Sequence, residues 1–401
     1  MKKLLTTNNL FLLTIFSMPL YLVRMNIFGL PLNVFELLAI LAIVFSFFKE
    51  RKKLPEIFFG LPKLLLISMA LVLFGVLLSI LFNDNYRAGM GIFKSWFLIP
   101  ILFSFLLYVV LSSKENIEKV FLSIYLSIAA VGFIGIVYKI LGIVTYDGRL
   151  EAFYSSPNYL AIYLSSGVFF GFYFLVKSFF EKAYSKKIFA HLFLVLIVLA
   201  ALYFTYSYGA WLAVFLALFC TILVVAPQKK FLFSGLFFIV AATAFIFQFN
   251  TSKFSELVNF SQRSSFASRI MIWDASLLMI KQNPVFGIGP GNFQNYYLAL
   301  QKYFPPYLDW AVPQPHNVFL AFWLQTGFLG LIGFLLLLFF VFKTLFKIVK
   351  NKKDAFLAAP LLGFFLYTVL HGLIDTTYWK NDFSFLFWIN VFLLIYINTK
   401  L

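Results

Sequence analysis

The sequence has little of what a soluble domain needs, because only 12% of its 401 residues are charged and 62% are apolar. A chain that folds in water must cover its surface with polar side chains, and this composition cannot supply them. The single cysteine, Cys220, cannot form an internal disulfide. A soluble enzyme, a disordered chain and a disulfide scaffold are therefore excluded.

What the chain does contain is long apolar runs, and a helix that crosses a bilayer needs about 20 such residues. Lys2 and Lys3 precede the first run without a small-x-small cleavage pattern after it, so we expect an uncleaved first span. The pattern predicts an all-α integral membrane protein with about 12 transmembrane helices, at 8–23, 31–48, 60–82, 92–111, 120–141, 157–176, 188–206, 208–226, 231–249, 316–342, 355–374 and 383–398.

Positive charge is concentrated on one side of these predicted spans. With the count above, 21 of the 32 Lys and Arg residues fall in short loops on the side that also holds both termini. The positive-inside rule makes that side cytoplasmic. The basic excess therefore reports topology, and we expect contact with membrane lipid but no nucleic-acid partner.

One loop is much longer than the others, and it divides the chain into three parts. Residues 1–249 carry spans 1–9, residues 250–315 form a 66-residue extracytoplasmic loop, and residues 316–401 carry spans 10–12. Loops of this length are usually functional. Within it, Ser265 can cap a helix that ends at Asn283 and lies along the membrane interface, on an apolar stripe of Ile270, Trp273, Leu277 and Ile280.

The stretch 287–293, Gly-Ile-Gly-Pro-Gly-Asn-Phe, follows that helix. It lacks the preceding strand and the following helix of a dinucleotide fingerprint, so we do not expect it to bind a nucleotide. We favour a tight turn, and backbone amides that cradle a phosphate are the alternative.

His316 begins the tenth span directly after Pro313 and Pro315, which place it at or near a helix N-terminus. The positive end of the helix dipole disfavours imidazolium, and a neutral ring has the lone pair that a general base needs. The alternative is an interfacial histidine that caps the helix together with Asn317.

His371 and Asp375 are four residues apart and would share a face at the outer end of the eleventh helix. We expect a structural hydrogen bond from His371, whereas Asp375 is placed to orient a base or an acceptor hydroxyl. No further ligand occurs at a useful spacing, so we expect neither a metal site nor another cofactor.

Eleven Lys and Arg residues fall on the predicted outer side, where the positive-inside rule does not account for them. An anionic substrate is one explanation for their presence, because the arginine fork matches phosphate oxygens. Arg149 and Arg269 are best placed for it, whereas lipid headgroups explain Arg24, Arg87 and Lys253. No loop contains the Asp-x-Asp pair that holds a metal on a nucleotide sugar, which disfavours such a donor.

Three segments together resemble the O-antigen ligase and polymerase family of bacterial envelope enzymes. Arg269-x-x-x-Trp273 with the glycine stretch at 287–293 is similar to one family pattern, and His316-Asn317-x-x-Leu320 with Gly327-x-x-Gly330 is similar to another. Arg149, Phe153, Pro157 and Asn158 resemble the family's stretch before the sixth span.

The resemblance implies a bacterial inner-membrane enzyme that transfers a glycan from a polyprenyl diphosphate to an acceptor hydroxyl, with inversion and without a metal. In that case His316 is the general base, and Arg149 and Arg269 hold the diphosphate. Asp375 stays a second catalytic candidate, to orient a base or an acceptor hydroxyl, and Asn317 is a further candidate for substrate binding.

Two positions depart from the family pattern. The family's Ser-Arg-Gly at the eighth span reads Ser207-Tyr208-Gly209 here, so either Arg263 or Lys253 replaces the missing arginine or the donor is held differently. The family's acidic residue before Gly-x-x-Gly is replaced by Gln325-Thr326.

Several functions remain open at this stage. Within the family, a polysaccharide polymerase, a ligase to a lipid core and an O-oligosaccharyltransferase to protein hydroxyls share these motifs. Outside it, a polysaccharide transporter or flippase is the alternative, although transporters usually show repeats and broken helices near the midplane.

Overall fold

The structure, a computed structural model, describes residues 7–27, 30–181, 184–226, 265–304 and 311–401, together with the single residues 228, 235, 243 and 246. Over these residues the fold is nearly all helical. The exception is a hairpin of β1 (Arg24–Ile27) and β2 (Leu30–Asn33), paired antiparallel, which the apolar pattern did not predict.

Ten of the described helices precede residue 226, and a π-helical segment, Phe93–Leu98, joins two of them into one rod. They are α1 (Thr7–Phe16), α2 (Val34–Glu50), α3 (Leu54–Phe59), α4 (Lys63–Leu81), α5 (Tyr86–Ile92), α6 (Ile99–Val110), α7 (Lys114–Ile140), α8 (Pro157–Phe180), α9 (Ser185–Phe204) and α10 (Tyr208–Val225). The later helices are α11 (Ser265–Gln282), α12 (Phe293–Leu300), α13 (Val318–Asn351), α14 (Ala355–Gly372) and α15 (Asn381–Lys400).

Nine helical segments among the described residues are long and apolar enough to cross a membrane, and each coincides with a predicted span. They are α4, the α5–α6 rod, α7, α8, α9, α10, α13, α14 and α15. Of the other predicted runs, 8–23 and 31–48 correspond to the shorter helices α1 and α2. The run 231–249 lies outside the described residues, apart from positions 235, 243 and 246. Nine spans are thus supported, and the predicted count of 12 is not confirmed.

Helices α4 and α13 pack closely because glycines occupy their crossing. A Cβ at Gly75 would lie 2.5 Å from the backbone nitrogen of Gly330, and one at Gly333 would lie 2.7 Å from that of Val72. Small residues let membrane helices approach in this way. Helix α15 is buried without interruption from Asp382 to Ile397, which makes it the central helix of the bundle.

Helix α11 has a buried face that the predicted apolar stripe only partly shares. The buried face is formed by Ser268, Met271, Ile272, Ala275, Ser276, Met279 and Ile280, whereas Ile270 and Leu277 of the stripe are exposed. The buried face packs against α12 and α13. The position of the exposed part of the stripe along the membrane interface stays a prediction.

The two ends of the bundle differ in their polar contacts. At one end Lys49 donates to Thr7 at 2.7 Å, and Lys114 pairs with Asp354 at 3.5 Å. These lysines belong to the loops predicted to be cytoplasmic. The loops after α7, α9 and α14 and the segment before α13 contact one another at the other end, where the candidate site lies.

Candidate functional site

His316 and Asp375 form the centre of the site. The Nδ1 atom of His316 lies 3.1 Å from Oδ1 of Asp375, and the histidine side chain is 23% exposed. With the carboxyl ionised, we assign the proton of the ring to Nδ1, which donates to Asp375. The lone pair on Nε2 is then available to a substrate.

The backbone around His316 explains how the ring reaches that position. Helix α13 begins at Val318, and Asn317 is its N-cap, with Oδ1 accepting from the amides of Phe319 and Leu320. His316 precedes the cap in the left-handed region, at φ 48°. The cap role therefore falls to Asn317, and the His316 ring is directed to Asp375 instead of the helix end.

Asp375 lies beyond α14 and not on it, because the helix ends at Gly372. Its amide still donates to the carbonyl of His371 at 2.8 Å, which continues the helical turn to the carboxyl. Burial raises the pKa of the Asp375 carboxyl, but His316, His371 and Arg269 lower it by more, and it lies well below its ordinary value. These partners therefore favour the ionised form of Asp375.

Helix α11 holds both members of this pair through Arg269 and Trp273, which are four residues apart and share a helix face. Arg269 Nε donates to the Ile374 carbonyl at 2.7 Å, and its Nη2 lies 3.9 Å from Oδ2 of Asp375. Trp273 Nε1 donates to the His316 carbonyl at 3.2 Å. The Arg-x-x-x-Trp spacing thus connects one helix to the segments of His316 and Asp375.

Arg149 approaches from the loop between α7 and α8. Its Nε donates to the Thr205 carbonyl at 2.8 Å, and its Nη2 donates to Oδ1 of Asn158 at 2.7 Å. Burial lowers its pKa, with Asp147 acting oppositely and the like charge of Arg269 adding to the decrease. An arginine stays charged even so, and the two guanidinium groups are within electrostatic range of each other and of Asp375.

The remaining candidate residues have varied positions. His371 is buried and its Nδ1 lies 2.7 Å from the Tyr367 hydroxyl, which fits the structural hydrogen bond expected of it. Asn317 uses its amide group to donate to the Leu373 carbonyl at 3.0 Å. Arg263 and Lys253, offered as replacements for the missing family arginine, lie outside the described residues.

The glycine stretch is a tight turn that packs against a break in α13. Gly287, Gly289 and Gly291 all have positive φ, and a Cβ at Gly287 would lie 2.3 Å from the Leu324 carbonyl oxygen. Gly327 breaks the helix at φ 67° and ψ 178°, and the Phe328 amide donates to the Val285 carbonyl at 2.9 Å. These glycines are needed because no side chain fits, which accounts for the two glycine motifs together.

Backbone strain also gathers around the site. Apart from glycine, the left-handed residues of the described chain include Ala152, Tyr206, His316 and Tyr378, all in loops that contribute to the site or adjoin it. Such conformations cost about 1–3 kcal/mol each and persist where the surroundings fix them. Within the described residues, no group of three or more His, Cys, Asp or Glu side chains is arranged to hold a metal ion.

Comparison with known families gives a match that includes part of this site. Residues 193–335 match the model of the family described as O-antigen ligase. The match covers 143 of the 401 residues. It contains Arg269, His316 and the glycine turn, whereas Arg149 and Asp375 lie outside the matched residues.

A curated relative supports the same assignment over a longer stretch. The chain is 24% identical over 331 residues to a ComP-specific O-oligosaccharyltransferase of Acinetobacter baylyi, with 79% of this chain and 59% of the relative aligned. The chain therefore spans about three fifths of the relative's length. The O-antigen ligase match and this relative are both similarities to proteins named for the transfer of glycans.

Proposed function

We propose that the protein transfers a glycan from a polyprenyl diphosphate carrier to an acceptor hydroxyl at the extracytoplasmic face of the bacterial inner membrane. The observation that carries this proposal is the partly exposed His316 ring bonded to the buried Asp375, with Arg269 beside the carboxylate. A base next to fixed positive charge suits a reaction in which a hydroxyl attacks and an anionic phosphate leaves.

The transfer is a single displacement at the anomeric carbon. The acceptor oxygen forms a bond to that carbon while the bond from the carbon to the phosphate oxygen breaks, and the configuration inverts. The hydroxyl proton moves to Nε2 of His316, and the departing diphosphate takes the bonding electron pair. Asp375 stabilises the resulting imidazolium through its bond to Nδ1.

Arg269 and Arg149 neutralise the charge that develops on the departing diphosphate. Both are tied to backbone carbonyls, Arg269 to Ile374 and Arg149 to Thr205, so their orientation is fixed before the substrate binds. Preorganised charges of this kind stabilise a transition state without a reorganisation cost. We propose that these guanidinium groups take the role that a magnesium ion has in many phosphate-leaving reactions.

The acceptor is a glycan, a lipid core or a protein hydroxyl. The name of the Acinetobacter relative, an O-oligosaccharyltransferase specific for ComP, favours a protein hydroxyl as the second candidate. Expression in a host that makes a lipid-linked glycan separates the candidates, because the glycan then appears on a protein, on the lipid core or in a longer polymer.

The first prediction concerns the side of the membrane on which the site lies. In a Cys220→Ala background, Tyr303→Cys should react with a membrane-impermeant maleimide in intact cells or spheroplasts, because Tyr303 is exposed and lies in the loop proposed to be outside. Ser185→Cys, at the start of α9 and at the opposite end, is the control and should react only after the membrane is opened. The reverse labelling would put His316 in the cytoplasm and end the proposed reaction.

A further inference from the structure

Lys380 is a buried cation that the reaction described above does not use. It precedes α15 and belongs to the same loop as Asp375. Its side chain is buried, and Nζ has no hydrogen-bond partner among the described residues. The ammonium group lies over the Tyr159 ring, 2.8 Å from the ring centroid.

Two buried carboxylates act on this ammonium group electrostatically, Asp382 and Asp375. Asp382 accepts hydrogen bonds from the Tyr154 hydroxyl at 3.3 Å and from the Phe383 amide at 2.8 Å. Asp375 is the partner of His316. Lys380 therefore interacts electrostatically both with Asp375 of the His316–Asp375 pair and with a second acidic group, Asp382.

A buried ammonium group without a hydrogen bond is costly, and its removal alone would leave the buried carboxyl group of Asp382 without a compensating charge. The adjacent Trp379 and the nearby Phe383 are buried as well. Burial accordingly holds the pKa of Lys380 well below its ordinary value, although Asp382 and Asp375 act in the opposite direction. Apolar packing alone gives no reason for a lysine here.

The charge balance of the site gives a reason. A carboxylate beside a histidine favours imidazolium, and a ring that is already protonated cannot accept the proton of a hydroxyl. The cations within electrostatic range of Asp375 are Arg269, Arg149 and Lys380, and Lys380 also acts on Asp382. Removal of Lys380 would take one positive charge from this cluster and would favour protonation of His316.

We propose that Lys380 is a positioning residue of the transfer site, whose buried ammonium acts through Asp375 to keep His316 in the form that accepts a proton. This inference rests on the proposed function. The groups that face His316 are His371 from α14 and Asp375, and Arg269 from α11 and Arg149 act on Asp375. Those that face Lys380 are Asp375, His371, Asp382 from α15 and Tyr159 from α8.

The test compares pH profiles of kcat/KM for the purified full-length protein in liposomes, with a polyprenyl-diphosphate oligosaccharide as donor. Lys380→Met, of similar size and uncharged, should fold with a lower thermal stability, because the buried Asp382 loses its compensating charge, while the acid limb moves up by about 0.5–1 pH unit, which lowers the rate about 3- to 10-fold below that limb. Lys380→Arg should restore the acid limb of the wild type. Lys281→Met, which removes an exposed outer charge at the end of α11, is the matched control and should leave the profile unchanged.

An acid limb that stays in place in a folded Lys380→Met protein would overturn the inference. If that variant does not fold, Lys380→Gln is measured in the same way, and failure of both to fold would make Lys380 structural. Wild-type protein is assayed alongside. Absence of transfer by the wild type would contradict the proposed function itself. An active wild type together with an unchanged acid limb in Lys380→Met would contradict only the role of Lys380.

Discussion

His316→Ala should lower transfer by about 10²–10⁴-fold while expression, membrane insertion and donor binding stay close to wild type. The reason is that Nε2 is the atom that receives the hydroxyl proton, and alanine has no group to replace it. The structure separates this role from helix capping, because the cap of α13 is Asn317. The measurement is initial rate of glycan transfer in membranes with equal amounts of each protein.

His191→Ala is the control for this prediction. Its ring stacks against both Tyr125 and Phe174, with centroid distances of 6.2 and 5.5 Å, near the start of α9 at the opposite end of the bundle. It should change transfer little. If His316→Ala retains more than about a tenth of the wild-type rate, the loss of rate is smaller than the smallest loss expected on removal of a general base. The assignment of His316 is then wrong.

Arg269→Lys should slow transfer by about 10²-fold even though the positive charge is kept. Arginine bonds the Ile374 carbonyl through Nε while Nη2 faces the carboxylate of Asp375. A lysine has a single nitrogen and cannot make both contacts while it also binds a phosphate oxygen. The loss should appear in kcat as well as in KM, because the leaving diphosphate gains charge in the transition state.

Arg87→Lys is the matched change, because Arg87 is an exposed outer arginine for which we expect only lipid contact. It should leave kcat unchanged. The same reactions are run with excess chelator, and wild-type transfer should persist if the guanidinium groups carry the charge. Loss of transfer with chelator and recovery with magnesium would contradict the role given to Arg269 and Arg149.

The sequence predicted the helices of this protein well, because long apolar runs have few alternatives in a membrane protein. All nine candidate spans of the described residues coincide with predicted runs. The hairpin at 24–33 was missed because its short alternation is hidden between two apolar runs. The buried face of α11 was not predicted, because that helix carries apolar residues on both faces.

The site could be predicted only in part, for a different reason. His316, Asp375, Arg149 and Arg269 stood out because charged or titratable residues are rare in this chain and have few explanations at the outer side. Their mutual contacts depend on the packing of helices distant in sequence, which no local pattern encodes. Lys380 received no role because its burial, not its residue type, makes it unusual.

The most direct test of the central claim is a reconstituted reaction. Purified protein in liposomes is given a polyprenyl-diphosphate oligosaccharide and an acceptor, with released polyprenyl diphosphate measured by mass spectrometry and product configuration by NMR. The account predicts that wild-type protein releases one polyprenyl diphosphate per glycosidic bond formed, with inversion, and that His316→Ala releases almost none. Movement of intact donor across the bilayer without such release would identify a transporter and contradict the account.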